Sequence, residues 1–260
     1  MKNRVKEIMA DGGKALGTFF EIGGCSAVEC LGISGLDFLI IDTEHGPFDV
    51  ESTMDFIRAA DLKGITPFVR VKDITRPSIL KMLDIGAKGL IIPCVNTVDE
   101  VRKIVEYGKY YPAGKRGFFY GRAASYGYDD AAKNIDTWFE TSNRETLLIP
   151  QCETTGCLEN IEEIVNIEGV DGIFIGPYDL SIGMGRPAQF SDPEFLAAID
   201  RILKACSDAG KFSFIYTVST ASAKEYLSRG FSGVAVNTDV SVYINAFRSI
   251  IREVKSSLPL

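Results

Sequence analysis

Short apolar runs rich in β-branched and aromatic residues recur along the chain, and amphipathic stretches of helical period separate them. LGTFFEIG (16–23) is followed by the helix-like SAVECLGIS. DFLIID (37–42) precedes DVESTMDFIRAADLKG, which opens on an N-capping aspartate and closes on a glycine. TPFVRV (66–71) precedes RPSILKMLDIG, and GLIIPCV (89–95) precedes TVDEVRKIVEYG. A long loop leads to TLLIPQCE (146–153) and then TGCLENIEEIVN. DGIFIGP (171–177) runs into DPEFLAAIDRILKACSDAG, KFSFIYT (211–217) into STASAKEYLSRG, and GVAVNT (233–238) into SVYINAFRSIIREVKSSL.

These are eight predicted strands, each followed by a helix. Strand–helix alternation implies a parallel sheet, and eight repeats in about 250 residues is the size of a (β/α)8 TIM barrel. A doubly wound open sheet has the same alternation with fewer strands. No G-x-G-x-x-G follows the first strand, which weakens that alternative and a dinucleotide-binding reading with it. No linker interrupts the pattern, so a single α/β barrel domain is expected over residues 1–260.

In a TIM barrel the C-terminal ends of the strands carry function. Strand 2 delivers Asp42, Glu44 and His45, strand 3 Arg70, and strand 5 Gln151 and Glu153. Strand 6 delivers Asp179, and strand 8 ends in Asn237 and Asp239. Any one of these reads equally well as a loop cap, whereas their convergence on one rim points to an active site. His45 is the only histidine in 260 residues, and it follows two carboxylates where an apolar strand ends.

Composition narrows the function classes. Hydrophobic residues make up 46%, ample for a core, and the formal net charge of −7 argues against a nucleic-acid surface. No stretch approaches the roughly 20 apolar residues that span a bilayer. The polar start MKNRVKEIMADGGK lacks the apolar core of a signal peptide, so a soluble cytoplasmic protein is expected. The six cysteines include two C-x4-C pairs but no C-x2-C, and no second histidine is available. Free structural thiols are expected rather than a zinc site.

The rim residues point to a chemistry. Glu153 and Asp179 lie on neighbouring strands and together suit a hard divalent ion such as Mg2+ or Mn2+, or else an acid/base pair. Arg70 offers a planar cation for an anionic substrate group, and His45 a proton-transfer group. Metal, arginine and histidine together suit bond breaking beside a carbonyl, with the metal as Lewis acid. The rival Schiff-base lysine has no good candidate: Lys211 falls at the start of strand 7, and Lys72 just past Arg70. Loops 7 and 8 lack the glycines that usually cradle a phosphate.

The motifs DTEHGP, FVRV, LDIGAKGLIIP, YPAGKRG, IPQCET and GVDGIFIGPYDLS occur in this order between residues 42 and 181, within a likeness that runs from GTFFEIG to the final helix. In this the sequence resembles the HpcH/HpaI family of class II pyruvate aldolases. The resemblance implies a divalent metal ion (Mg2+, Mn2+ or Co2+) and reversible cleavage of a 4-hydroxy-2-oxo acid to pyruvate, or a close analogue, and an aldehyde. It implies Glu153 and Asp179 as metal ligands and His45 as base, acting directly or through a water. Arg70 matches the arginine that stabilises the enolate, and Gln151 a substrate contact. Asp84 matches an aspartate credited with raising the histidine's basicity. Yet Asp84 ends its helix at the far side of its own barrel, so either a neighbouring subunit supplies it or its effect is indirect, and Asp42 is the nearer candidate to orient the ring. Tyr178 stands where many members carry a small residue whose backbone N–H meets the substrate carboxylate. The loop 111–127 is expected to fold over the rim and bring Arg122 as an aid to substrate binding. The resemblance also implies a homo-oligomer, a hexamer built from dimers. In it the final helix (about 240–257), with Val242, Ile244, Phe247, Ile250, Ile251 and Val254 at helical spacing, packs on a neighbouring subunit. Two other readings of the rim are an acyl-CoA carbon–carbon lyase with a similar magnesium site and a catalytically silent binding barrel.

Overall fold

Side chains of a strand point alternately to its two faces, and the apolar runs of this chain are apolar at both parities. Such strands are stable only when both faces are covered, and a closed barrel wrapped in helices covers both. The computed structural model, which describes residues 2–256, has this architecture. Its strands are β1 Ala15–Phe20, β2 Phe38–Asp42, β3 Thr66–Arg70, β4 Gly89–Ile92, β5 Leu147–Cys152, β6 Gly172–Ile175, β7 Phe212–Thr217 and β8 Gly233–Thr238. Each pairs in parallel with the next, and β8 closes onto β1. Seven of the eight predicted runs contain their strand, and β1 begins one residue before its run, at Ala15. β4 stops three residues short of its apolar run because Pro93 has no N–H for the ladder and Cys94 takes a positive φ of 56°.

The parity of each strand separates two cores. Phe20, Leu39, Ile41, Val69, Leu90 and Ile173 point outward and bury against the helices. Phe19, Phe38, Ile40, Phe68, Phe174 and Phe214 point inward and fill the barrel. Low in the barrel the three rings of Phe38, Phe68 and Phe214 pack on one another, with centroids 5.2 to 6.1 Å apart. Each ring lies beside a glycine that is its register partner on an adjacent strand: Gly17 for Phe38, Gly89 for Phe68 and Gly233 for Phe214. Large and small residues thus alternate around the layer.

An N-terminal helix, Arg4–Ala10, was not anticipated from the sequence. Its Val5 and Met9 join the inward core and close the bottom of the barrel. Buried Asn3 caps it and donates to the carbonyls of Lys88 and Glu145 at 2.9 Å, tying the cap to the entry points of β4 and β5. Among the described residues no helix is long and apolar enough to cross a membrane.

The last helix, Asp239–Ser256, departs from the wrapping pattern; the predicted end at 257 lies outside the described residues. Val242, Ile244, Phe247, Ile250 and Ile251 are all exposed. Beside its root, between the helices Cys25–Ile33 and Thr220–Arg229, an apolar groove of about 730 Å³ opens, walled by Leu31, Leu36, Ala223, Leu227 and Val236. The helix that would complete the outer ring at this place stands away from it.

The glycine–phenylalanine layer gives a direct stability test. A Cβ on Gly89 would sit 2.7 Å from the Phe68 ring, and neither inward neighbour has room to give. Gly89→Ala is expected to destabilise the protein by about 1–3 kcal/mol, the usual cost of overpacking. Urea denaturation checks it: the midpoint falls while the slope is unchanged.

Candidate active site

Continuing each inward register one step beyond the apolar layer brings the chain to its polar residues. In β2 the inward series Phe38, Ile40 ends at Asp42; in β3, Phe68 is followed by Arg70. Asp42 and Arg70 are register partners, so their side chains rise together from adjacent strands. The Arg70 guanidinium donates through Nε to Asp42 Oδ1 at 2.9 Å and through Nη2 to Oδ2 at 2.6 Å. Its remaining Nη1 lies 3.1 Å from Glu44 Oε2, and the Phe19 ring lies 4.8 Å beneath the guanidinium carbon. This pair is almost wholly buried, and a two-point fork of this kind fixes the arginine plane.

In β5 the inward series Leu147, Ile149 continues to Gln151 and Glu153. Glu153 Oε1 accepts the backbone N–H of Cys94 at 2.7 Å, and its Oε2 accepts from Gln151 Nε2. The left-handed backbone of Cys94, uncommon for a residue with a Cβ, aims that N–H at the carboxylate. Gly176, at the end of β6, has its own steric reason. A Cβ there would stand 2.7 Å from Gln151 Nε2 and 2.8 Å from Glu153 Oε2. Only glycine lets the strand pass this close. Asp179 follows in the first turn of the helix Pro177–Gly183, exposed at the mouth of the barrel.

Burial raises the Glu153 carboxyl above the usual carboxylate range, and the nearby Glu44 and Asp179 add to the shift. Glu44 is raised as well, chiefly by burial, with Arg70 and His45 pulling the other way. Cys94 completes this corner: its thiol stands 3.8 Å from Glu44 Oε1 and is pushed up to about 11 by burial and by Glu153 and Glu44. One donor atom each from Glu44, Cys94 and Glu153 lie within 4.8 Å of one another. Gln151 Oε1 is buried and accepts no hydrogen bond from the described residues. Crowded carboxylates and an orphaned amide oxygen form the hard-oxygen donor set that a divalent cation prefers.

His45 stands on the loop after β2, with 71% of its side chain exposed, and its Nε2 lies 3.9 Å from Glu44 Oε2. The expectation that Asp42 orients the imidazole is corrected here. Asp42 Oδ1 takes the backbone N–H groups of Glu44 and His45, and its carboxylate is otherwise held by Arg70. Asp42 shapes the turn, and Glu44 is the carboxylate beside the ring. Asp239 is likewise spent on the backbone, accepting the N–H groups of Glu21 and Ile22 and so joining the ends of β1 and β8.

One further expectation fails within the chain, while Asp84 lies at the far side of its own barrel as expected. The loop 111–127 does not fold over the rim of its own barrel. It connects a helix to the start of β5, so it runs at the opposite end, where Arg122 donates to Ile85 O at 2.9 Å and Asp61 Oδ2 at 2.7 Å. Asp84 lies in the same region, paired with Arg116 at 2.9 Å. Neither Arg122 nor Asp84 approaches His45 in one copy.

Over the polar layer lies a cavity of about 180 Å³. Arg70, Gln151, Tyr178 and Asp179, all singled out in the sequence, line it together with Phe19 and Glu21. Sequence reasoning passed over Glu21 and treated Cys94 as structural. Glu21 was legible, because it is two residues beyond inward-facing Phe19. Cys94 reaches the site through a backbone conformation that residue type does not announce.

A family model described as HpcH/HpaI aldolase/citrate lyase matches residues 17–246. The hydroxypyruvate/pyruvate aldolase of Roseobacter denitrificans is 34% identical over 250 residues, 95% of each chain. The 2-keto-3-deoxy-L-rhamnonate aldolase of Salmonella gallinarum is 33% identical, over 98% of this chain and 94% of its own. The crystal structure of an HpcH/HpaI aldolase/citrate lyase family protein from Burkholderia cenocepacia superposes with a TM-score of 0.89 at 30% identity, over 98% of this chain and all of the other. Sequence, barrel and rim agree along almost the full length: the chain belongs to the HpcH/HpaI aldolase/citrate lyase family.

Proposed function

We infer that the chain is a divalent-cation-dependent aldolase that reversibly cleaves a 4-hydroxy-2-oxo acid to pyruvate, or a close analogue, and an aldehyde. It is a carbon–carbon lyase, as the aldolase relatives are by name. The observation that carries this reading is the gathering of Arg70, His45, Glu44, Gln151, Glu153 and Asp179 at one end of the barrel.

Glu153 and Asp179 would hold the cation, with Gln151 Oε1 beside them. Bound there, Mg2+, Mn2+ or Co2+ supplies Lewis acidity toward the 2-oxo group. The remaining work falls to the side chains. The substrate carboxylate meets the backbone N–H of Tyr178. His45 accepts the proton of the 4-hydroxyl, directly or through one water, and its exposure lets it reach a substrate entering from solvent. As that proton leaves, the C3–C4 pair passes to the pyruvate half and the aldehyde departs. The guanidinium of Arg70, fixed by Asp42, faces the negative charge that develops. Glu44 lies beside the imidazole and faces the positive charge formed on it.

The last helix supports assembly. Its exposed apolar face and the apolar groove beside its root are complementary, and in one chain neither covers the other. A second copy can insert its helix in the groove, and such a dimer repeats into the hexamer that the family resemblance implies.

Chelation with EDTA should abolish aldol cleavage, and Mn2+ or Mg2+ should restore it. His45→Ala should lower kcat by about 10²- to 10⁴-fold, the usual contribution of a general base, with cation binding retained. Wild-type turnover in the variant would remove His45 from the chemistry. Light scattering should show an oligomer that Phe247→Asp disrupts; a fully active monomer would contradict the exchanged helix.

A further inference from the structure

We propose that Glu21 selects the aldehyde half of the substrate, favouring an uncharged aldehyde that bears hydroxyl groups over one that ends in a carboxylate. The proposal rests on the aldolase reading of the same cavity and names what that cavity takes.

Topology sets the direction in which the substrate lies. In a barrel of strand order β1 to β8, β1 stands opposite β5. The oxo-acid end is held on the β5–β6 side by Gln151, Glu153 and Asp179, so the other end points toward β1, β7 and β8. The walls there are Glu21, Tyr216 and Thr238, with Phe19 below and Tyr178 at the flank. Phe19 and Tyr216 meet edge to face at 5.6 Å, and the Tyr178 and Tyr216 rings lie 6.4 Å apart. This end offers aromatic faces for carbon–hydrogen surface and polar groups for hydroxyls.

Glu21 is built to face the ligand. Its backbone N–H is anchored by Asp239 at 2.9 Å, which fixes the residue at the mouth of the barrel. Its carboxylate accepts no hydrogen bond from the described residues, so its acceptor capacity is left for whatever occupies the cavity. Arg70 is the one basic side chain on this wall among the described residues, and it is already engaged by Asp42 and Glu44. An aldehyde with a distal carboxylate would meet Glu21, with Asp42 and Asp239 close behind; of the two basic groups near Glu21, Arg70 is engaged by Asp42 and Glu44, and His45 stands beside Glu44. A hydroxyl can donate to Glu21 and accept from the Tyr216 phenol. Burial, with Asp42 and Asp239 nearby, raises the Glu21 carboxyl above the usual carboxylate range.

The test uses the Mn2+-loaded enzyme and pyruvate, with glyceraldehyde and succinic semialdehyde as acceptors. The measured quantity is the ratio of their kcat/KM values for aldol addition. Wild type is expected to favour glyceraldehyde. Glu21→Gln, which keeps shape and removes the charge, should move the ratio toward succinic semialdehyde by about tenfold, and Glu21→Lys should move it further, because an unfavourable like charge is removed or reversed. Ratios unchanged in both variants, or a wild-type preference for succinic semialdehyde, would overturn the assignment of Glu21. Deuterium exchange of the pyruvate methyl group in D2O, followed by NMR on wild type without aldehyde, separates the two readings. If exchange occurs and the ratios stay fixed, only the Glu21 assignment falls; if no exchange occurs, the aldolase reading falls and takes this one with it.

Discussion

The two-residue period of side-chain direction in a closed parallel barrel is the constraint on which this molecule depends. Closure leaves no freedom in which face a residue shows, because a slip of one position would turn every inward side chain outward. The inward register carries Phe38, Phe68 and Phe214 low in the barrel and Phe19 and Phe174 above them. The next inward positions are Glu21, Asp42, Arg70, Gln151 and Glu153. Packing below and chemistry above are therefore one pattern read at two heights. The apolar layers hold the strands at fixed separation, and the strands hold the polar groups where loops alone would leave them mobile.

Charge in the polar layer is arranged rather than merely concentrated. Asp42 and Arg70 form a buried two-point pair whose partners are set by strand register. Breaking one side of such a pair costs about 3–5 kcal/mol because the other charge is left buried alone. The pair thereby keeps Arg70 in one orientation beside the cavity. Across the barrel the balance is left open: burial raises the Glu153 carboxyl, and Glu44 and Asp179 add to the shift.

Most of the fold was legible because its signals are periodic. Eight apolar runs, each followed by a helical stretch, are enough to name a barrel, and the barrel rule then ranks strand-end residues above all others. Arg70, Gln151 and Glu153 were found in this way. What escaped depends on information that residue type does not carry. Cys94 joins the site through a positive φ, and Asp42 and Asp239 resemble catalytic acids until their hydrogen bonds to backbone N–H groups are seen. The loop 111–127 was placed at the wrong end although the topology rule was to hand: a segment between a helix and the next strand lies at the bottom of the barrel. The last helix is amphipathic like the helices that wrap the barrel, and amphipathicity alone does not say that its apolar residues stay exposed in this chain.

The central claim is that the top inward position of β5 and the first turn after β6 together make a site for a divalent cation. A titration of Mn2+ followed by electron paramagnetic resonance tests it without any substrate. Wild type should bind one ion per chain, and Glu153→Gln and Asp179→Asn should each weaken that binding at least about tenfold while the protein remains folded. Unchanged Mn2+ affinity in both variants would contradict the account.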